Sequence, residues 1–185
     1  MDKEFKGNKN YQDGKGIFAE EDFMNIVYTL PQYQNTTVYD VRSFKDYQNI
    51  DIDFVIDKYN KNEPLPEINN VIYNKDRYEL IEVKFNSPAL KTGYLAFEVI
   101  SHAKPGWGVI SKCDTMYFVF ADIISEENNI YTINKRCLIN FEKWKLLLRN
   151  INPKPKIMGT DSEDGIRNLS IPLSTLENNH IIKYI

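Results

Sequence analysis

The hydrophobic positions along the chain change period several times, and each change marks an element. Phe23, Ile26, Val27 and Leu30 recur at helical spacing within residues 18–30, and Pro31 closes the run, which predicts a first helix. Residues 36–42 are β-branched and aromatic enough for a strand, and residues 44–49 lead into a second strand, Ile50-Asp51-Ile52-Asp53-Phe54-Val55-Ile56. Residues 57–77, with Pro64, Pro66 and several Asn, read as a long irregular connection before a third strand, Tyr78-Glu79-Leu80-Ile81-Glu82-Val83-Lys84-Phe85. Ser87-Pro88 ends that strand, and Thr92 reads as the cap of a helix over residues 93–101. Residues 105–108 predict a turn, 115–120 a buried strand, 130–139 a further strand, and 141–148 an amphipathic helix with its basic residues outward. Residues 153–165 read as a loop and residues 169–173 as an edge strand, where Pro172 is tolerated. Residues 1–16, polar and glycine-containing, read as a loose arm.

The order helix, strand, strand, strand, helix, strand predicts an α/β core over about residues 18–122, with a C-terminal α+β extension over about 123–185. A length of 185 residues suits a single domain. Hydrophobic residues at 42% and charged residues at 26% are ordinary for a globular chain, and no apolar run approaches the roughly 18 residues of a membrane span. With a polar N-terminus, this predicts a cytoplasmic protein with no membrane partner. Cys113 and Cys137 have no zinc spacing and read as free thiols. The net charge of −3 provides no global attraction to nucleic acid, so such a partner would need a local basic surface. Metalloprotease, nucleophile-elbow, Walker and dinucleotide patterns do not occur.

The second and third strands carry charges that a buried sheet does not normally accept. Alternate residues of a strand share a face, so Glu82 and Lys84 point one way, as do Asp51 and Asp53 on theirs. If the strands pair, the charges converge, and crowded carboxylates titrate upward unless a cation joins them. A hard divalent ion with oxygen ligands is the usual resolution, which makes the stretch a candidate metal site. The competing reading is an edge strand whose Glu82 and Lys84 form a cross-strand ion pair in water. In the first helix Glu20 falls at the edge of the buried face while Glu21 and Asp22 turn outward; all three also suit the first turn of a helix, where the dipole favours acids.

Asp53 on one strand, Glu82-Val83-Lys84 on the next and a preceding helix with Glu20 together resemble the PD-(D/E)XK nuclease superfamily, which includes restriction endonucleases and Holliday-junction resolvases. The resemblance covers about residues 18–120. Residues 48–56 are similar to a QxxGID-type strand of phage and bacterial members, with Gln48 at its start and Asp51 where glycine is common. Thr92-Gly93-Tyr94-Leu95-Ala96-Phe97-Glu98, Gly106-Trp107 and Lys112-Cys113-Asp114 are similar to the TGN-x-x-x-E, GW and K-x-D signals of such nucleases, with Tyr94 in place of Asn.

The resemblance implies a restriction-endonuclease-like fold and a Mg2+- or Mn2+-dependent deoxyribonuclease, with DNA as partner and a homodimer left open. Asp53, Glu82 and the Val83 carbonyl would hold the ion, Lys84 would orient or deprotonate the attacking water, and Glu20 would hold a second ion or a metal-bound water. Gln48, Lys91, Thr92 and Lys112 would contact nucleic acid. Glu98 reads either as a further acid of this kind or as a solvated helix residue. Lys91, Lys104, Lys112, Lys135 and Arg136 read either as a phosphate-binding rim or as a scattered solvated surface. Two rivals share the fold, a catalytically silent nucleic-acid-binding module and a scaffold for binding another protein.

Overall fold

A computed structural model describes residues 9–59, 63–101, 104–125, 127–150 and 166–185. The loop expected over residues 153–165 and the first eight residues of the expected arm lie outside these. Among the described residues the chain forms seven α-helices and nine strands. The first half runs α1 (Lys9–Ile26), β1 (Thr37–Asp40), α2 (Lys45–Gln48), β2 (Phe54–Asp57), α3 (Ile68–Tyr73), β3 (Tyr78–Asn86) and α4 (Ala89–Thr92). The second runs β4 (Tyr94–Ser101), β5 (Lys104–Pro105), α5 (Trp107–Ile110), β6 (Thr115–Ser125), β7 (Ile130–Asn140), α6 (Phe141–Asn150), β8 (Ile166–Pro172), α7 (Leu173–Asn178) and β9 (Ile182–Tyr184). Among the described residues no helix is long and apolar enough to cross a membrane.

The chain builds a mixed α/β structure around a six-stranded sheet in the order β1-β2-β3-β6-β7-β9. Neighbouring strands are antiparallel except β3 and β6, which run parallel with Val83 opposite Tyr117. A second sheet, β5-β4-β8, is antiparallel. Segments beyond residue 122 complete both sheets, through β7 and β9 in one and β8 in the other.

The two faces of the large sheet bury two separate cores. On one face Ala19 and Phe23 of α1, and Val27 in the 3-10 turn that follows it, meet Phe54, Ile56, Ile81, Val83, Tyr117 and Val119. On the other, Val55, Leu80, Met116 and Phe118 meet Leu95 and Phe97 of β4, Leu169 and Ile171 of β8, and Phe141 and Trp144 of α6. β3 has a layer on each side, so a strand in its position reads as nearly continuous apolar sequence.

Trp144 anchors the second core. It is fully buried, its ring stacks on Phe97 at 3.8 Å between centroids, and its indole N–H donates to the Gly108 carbonyl at 2.8 Å. Trp144→Ala is expected to cost about 3–5 kcal/mol of stability, from lost burial plus the cavity left behind. Thermal denaturation checks this as a fall of roughly 10 °C in melting temperature.

Several expectations are corrected. The helix expected over residues 93–101 is strand β4. Its side chains alternate, Leu95 and Phe97 inward with Tyr94 and Ala96 more exposed, and Gly93 at φ +74° ends α4 in the left-handed conformation instead of following a cap. The crossover between the parallel strands β3 and β6 therefore passes through the second sheet. The strand expected over residues 50–56 starts only at Phe54, because residues 45–48 coil into α2 and Asp51 turns at φ 56°.

The arm expected over residues 1–16 is already helical from Lys9. Gly14 carries glycine's usual helix penalty but packs closely, since a Cβ there would collide with the Asn129 side chain. The connection over residues 57–77 contains α3, and the turn over residues 105–108 leads into α5.

Asp22 does not face water. It is buried and accepts from the Tyr117 hydroxyl and from the Arg136 guanidinium at 2.9 and 2.7 Å, so α1 is pinned to β6 and β7 by a polar network. Arg136 is thereby removed from any phosphate-binding rim. Lys145 departs from the outward pattern of α6, being half-buried with its ammonium donating to the Ser111 carbonyl at 2.7 Å.

Candidate active site

Sheet register brings the acids together. Asp53 precedes β2 by one residue and extends its ladder, its N–H donating to the Ile81 carbonyl at 2.9 Å. It shares parity with Val55, and Glu82 and Lys84 share parity with Leu80, so all three fall on the face that carries Val55 and Leu80. A cleft of about 510 Å³ opens there, lined by Asp51, Asp53, Glu82, Val83, Lys84 and Phe85, with Gln48 from α2 and Lys15, Gly16 and Glu20 from α1.

The edge-strand reading of Glu82 and Lys84 is overturned, because β3 is interior to the sheet and Glu82 is only 4% exposed. One oxygen of Glu82, Oε1, takes the Lys84 ammonium. The other, Oε2, is buried with no hydrogen-bond partner among the described residues. A buried, unsatisfied carboxylate oxygen costs desolvation free energy that nothing in the chain returns.

Burial accordingly pushes the Glu82 carboxyl up to about 8; Asp53 and Asp51 push the same way and the Lys84 ammonium opposes them. Asp51 is raised for the same first reason. Burial works against the charge of Lys84, but the carboxylates of Glu82, Asp53 and Asp51 outweigh it and hold the lysine proton on.

Asp53 is held by backbone and side chain together. Its Oδ2 accepts the Val83 N–H at 2.8 Å, and the Gln48 amide reaches its Oδ1 at 3.5 Å and the Ile52 carbonyl at 3.1 Å. Asp51 lines the cleft from a left-handed turn, the backbone that favours glycine. Glu20 lines it too, but its Oε2 is clamped by Arg42 at 2.6 Å.

The remaining expected residues lie elsewhere. Lys91 pairs with Asp122 at 2.5 Å on the surface, and the Thr92 hydroxyl donates to the Pro88 carbonyl at 3.0 Å; neither lines the cleft. Lys112 lines a different cavity. Glu98 is a strand residue, half-buried, whose backbone is pressed by two glycines: a Cβ at Gly106 would lie 2.6 Å from its carbonyl oxygen and one at Gly108 2.7 Å. Lys104 and Lys135 are exposed, and Lys135 sits over the Tyr184 ring.

That close approach gives a specific contact to Trp107, which the sequence offered only within the Gly106-Trp107 signal of the resemblance. With α5 set directly on β4, the Trp107 ring lies under the Lys84 ammonium, 5.0 Å from it, and fixes the lysine by a cation–π contact. Lys15 and Gly16 are unforeseen, because their contribution depends on α1 starting early. No short-range pattern links any of the three to the acids.

Among the described residues no group of three His, Cys, Asp or Glu side chains is gathered to hold a metal ion. The cleft instead offers two acids on one sheet face, one with an unsatisfied oxygen, beside a lysine. That donor set fits a small hard cation that keeps much of its water and takes one or two carboxylates, and does not fit an ion needing a full protein cage. Comparison of the chain with protein-family models, with curated proteins and with solved structures found no match in any of the three.

Proposed function

We propose that the chain is a Mg2+- or Mn2+-dependent deoxyribonuclease built on a restriction-endonuclease-like core. The observation that carries the reading is the buried, partnerless Glu82 Oε2, beside Lys84 and on the same sheet face as Asp53. Support for the fold comes from the antiparallel run β1-β2-β3, the parallel β6 beside β3, and α1 packed across one face. The strand-bearing crossover departs from the helix that the resemblance implies.

Asp53 and Glu82 would hold the cation, with Val83 supplying backbone beside them. When bound, it would stabilise negative charge on a scissile phosphate and acidify water. The chain's own groups do the rest. The Lys84 ammonium, held by Glu82 and Trp107, donates toward an oxygen at the carboxylates and orients a water or a phosphate there. Gln48 keeps the Asp53 carboxylate turned into the cleft. Glu20 is tied to Arg42, so a direct role on a second ion would require breaking a charge-assisted hydrogen bond.

The silent binding module is the second reading, favoured by the absence of a three-acid cluster among the described residues. Incubating the protein with linear duplex, branched and single-stranded DNA, in EDTA and in millimolar Mg2+ or Mn2+, separates the two. Cleavage of at least one substrate only with the divalent ion is expected. Binding without cleavage under every metal condition would favour the silent module and defeat the nuclease reading.

A further inference from the structure

A second cavity, of about 390 Å³, lies toward the start of β3, between α3, α6 and the segment before β6. Residues 111–112 separate it from the carboxylate cleft, with the Lys112 N–H donating to the Ile50 carbonyl at 3.2 Å and the Ser111 hydroxyl to the Asp51 carbonyl at 3.3 Å. Its walls carry four cations, Lys75, Lys112, Lys145 and Arg149, against two acids, Asp114 and Glu142.

Asp114 is already committed. One of its oxygens takes the Lys75 ammonium at 2.9 Å and the other the Leu80 N–H at 3.0 Å. Lys145 points its ammonium at a neutral carbonyl, that of Ser111, and has no carboxylate within ion-pair distance among the described residues. Burial lowers its pKa and Lys112 and Lys75 lower it further by repulsion, while Cys113 and Asp114 oppose them. The cavity thus gathers more cations than acids, a balance that a bound anion would favour.

At its rim, Tyr73 is 86% exposed, the most solvent-accessible of the large hydrophobic side chains described. A cationic hollow beside an exposed aromatic face is the pairing that binds a nucleotide, with the phosphate among the cations and the base stacked on the ring. The volume is within the range of small-ligand sites. We infer that this cavity is a nucleotide-binding site, formed by Tyr73, Lys112, Lys145 and Arg149 and distinct from the carboxylate cleft. Its occupant is either a free nucleoside phosphate or one nucleotide of a single strand, since both present the same base and phosphate.

The test is fluorescence anisotropy of a labelled ten-residue oligothymidylate with the full chain in EDTA, where no divalent ion supports cleavage, with thymidine monophosphate as competitor. Saturable binding is expected, falling with salt. Tyr73→Ala should weaken it about ten-fold with the salt slope unchanged, because a stacked base is lost and no charge. Arg149→Gln should lower the slope of log K against log salt by about 0.7. Both side chains are exposed, and unchanged melting temperatures confirm that the variants fold. Displacement by thymidine monophosphate assigns the site to free nucleotides, and failure to displace assigns it to a strand. No saturable binding of either probe, or binding that neither substitution alters, would overturn the inference while leaving the metal-dependent cleavage test of Asp53 and Glu82 unaffected.

Discussion

Glu82→Gln is expected to raise the melting temperature of the metal-free protein and to leave only a weak stabilisation by Mg2+. The carboxyl is buried with one oxygen unpartnered, and its folded pKa of about 8 stands above an ordinary value of 4.5. A raised acid pKa means that the folded state keeps a proton the unfolded chain has lost. The stability this proton contributes is complete below about pH 4.5 and is lost as pH climbs toward 8. In EDTA the parent protein should therefore melt at progressively lower temperature across that window. Gln has the same shape and no charge to desolvate, so that decline should be absent from the variant.

Adding Mg2+ to the parent at pH 8 should restore what was lost, by about 2.7 kcal/mol if the free ion reaches a hundred times its dissociation constant. The variant, with one carboxylate left, should respond weakly. Thermal melts of both proteins from pH 5 to 8.5, with EDTA or Mg2+, read all four conditions. A Gln variant that is less stable than the parent in EDTA at pH 8, and still stabilised by Mg2+, would show that Glu82 is satisfied by the fold alone.

The strands were legible where burial alone selects the residues. β3, β6 and the inner half of β7 are nearly continuous apolar runs, and only interior strands between two layers demand that. The acids of the site were legible for the complementary reason, because Glu82 and Asp53 interrupt such runs. What escaped depended on partners distant in sequence. Tyr94-Leu95-Ala96-Phe97 has a strand's alternation, but Thr92 and Gly93 suggested a helix start; only pairing with β8, more than seventy residues away, decides between the two. Asp22 looked like a solvated first-turn acid because Arg136, which neutralises it, comes from β7. Trp107 was legible only as part of the Gly106-Trp107 signal, because its neighbour Lys84 lies across the crossover. Helix α1 was read too short because Gly14 and Gly16 argue against a helix, and the packing of Gly14 against Asn129, at the tip of the β6–β7 hairpin, is not visible in the local sequence.

Lys84→Ala is expected to separate catalysis from ion binding. The side chain supplies no metal ligand, so both acids stay in place, while the group that orients an oxygen beside them is gone. Cleavage should fall by about 10²–10⁴-fold, the usual worth of a positioned proton-transfer group. In EDTA the variant should be less stable than the parent, since Glu82 Oε1 loses its ammonium as well and both oxygens of a buried carboxyl are then unpaired. Stabilisation by Mg2+ should accordingly be larger in Lys84→Ala than in the parent, which is the opposite of its effect on turnover. Asp53→Ala should behave differently, losing the Mg2+ response and cleavage together, because one of two carboxylates has been removed. Melts with and without Mg2+, run beside cleavage assays on the same preparations, read both quantities. If Lys84→Ala cuts DNA as fast as the parent, the lysine is only the counter-ion of Glu82, and the cleft holds charge without using it.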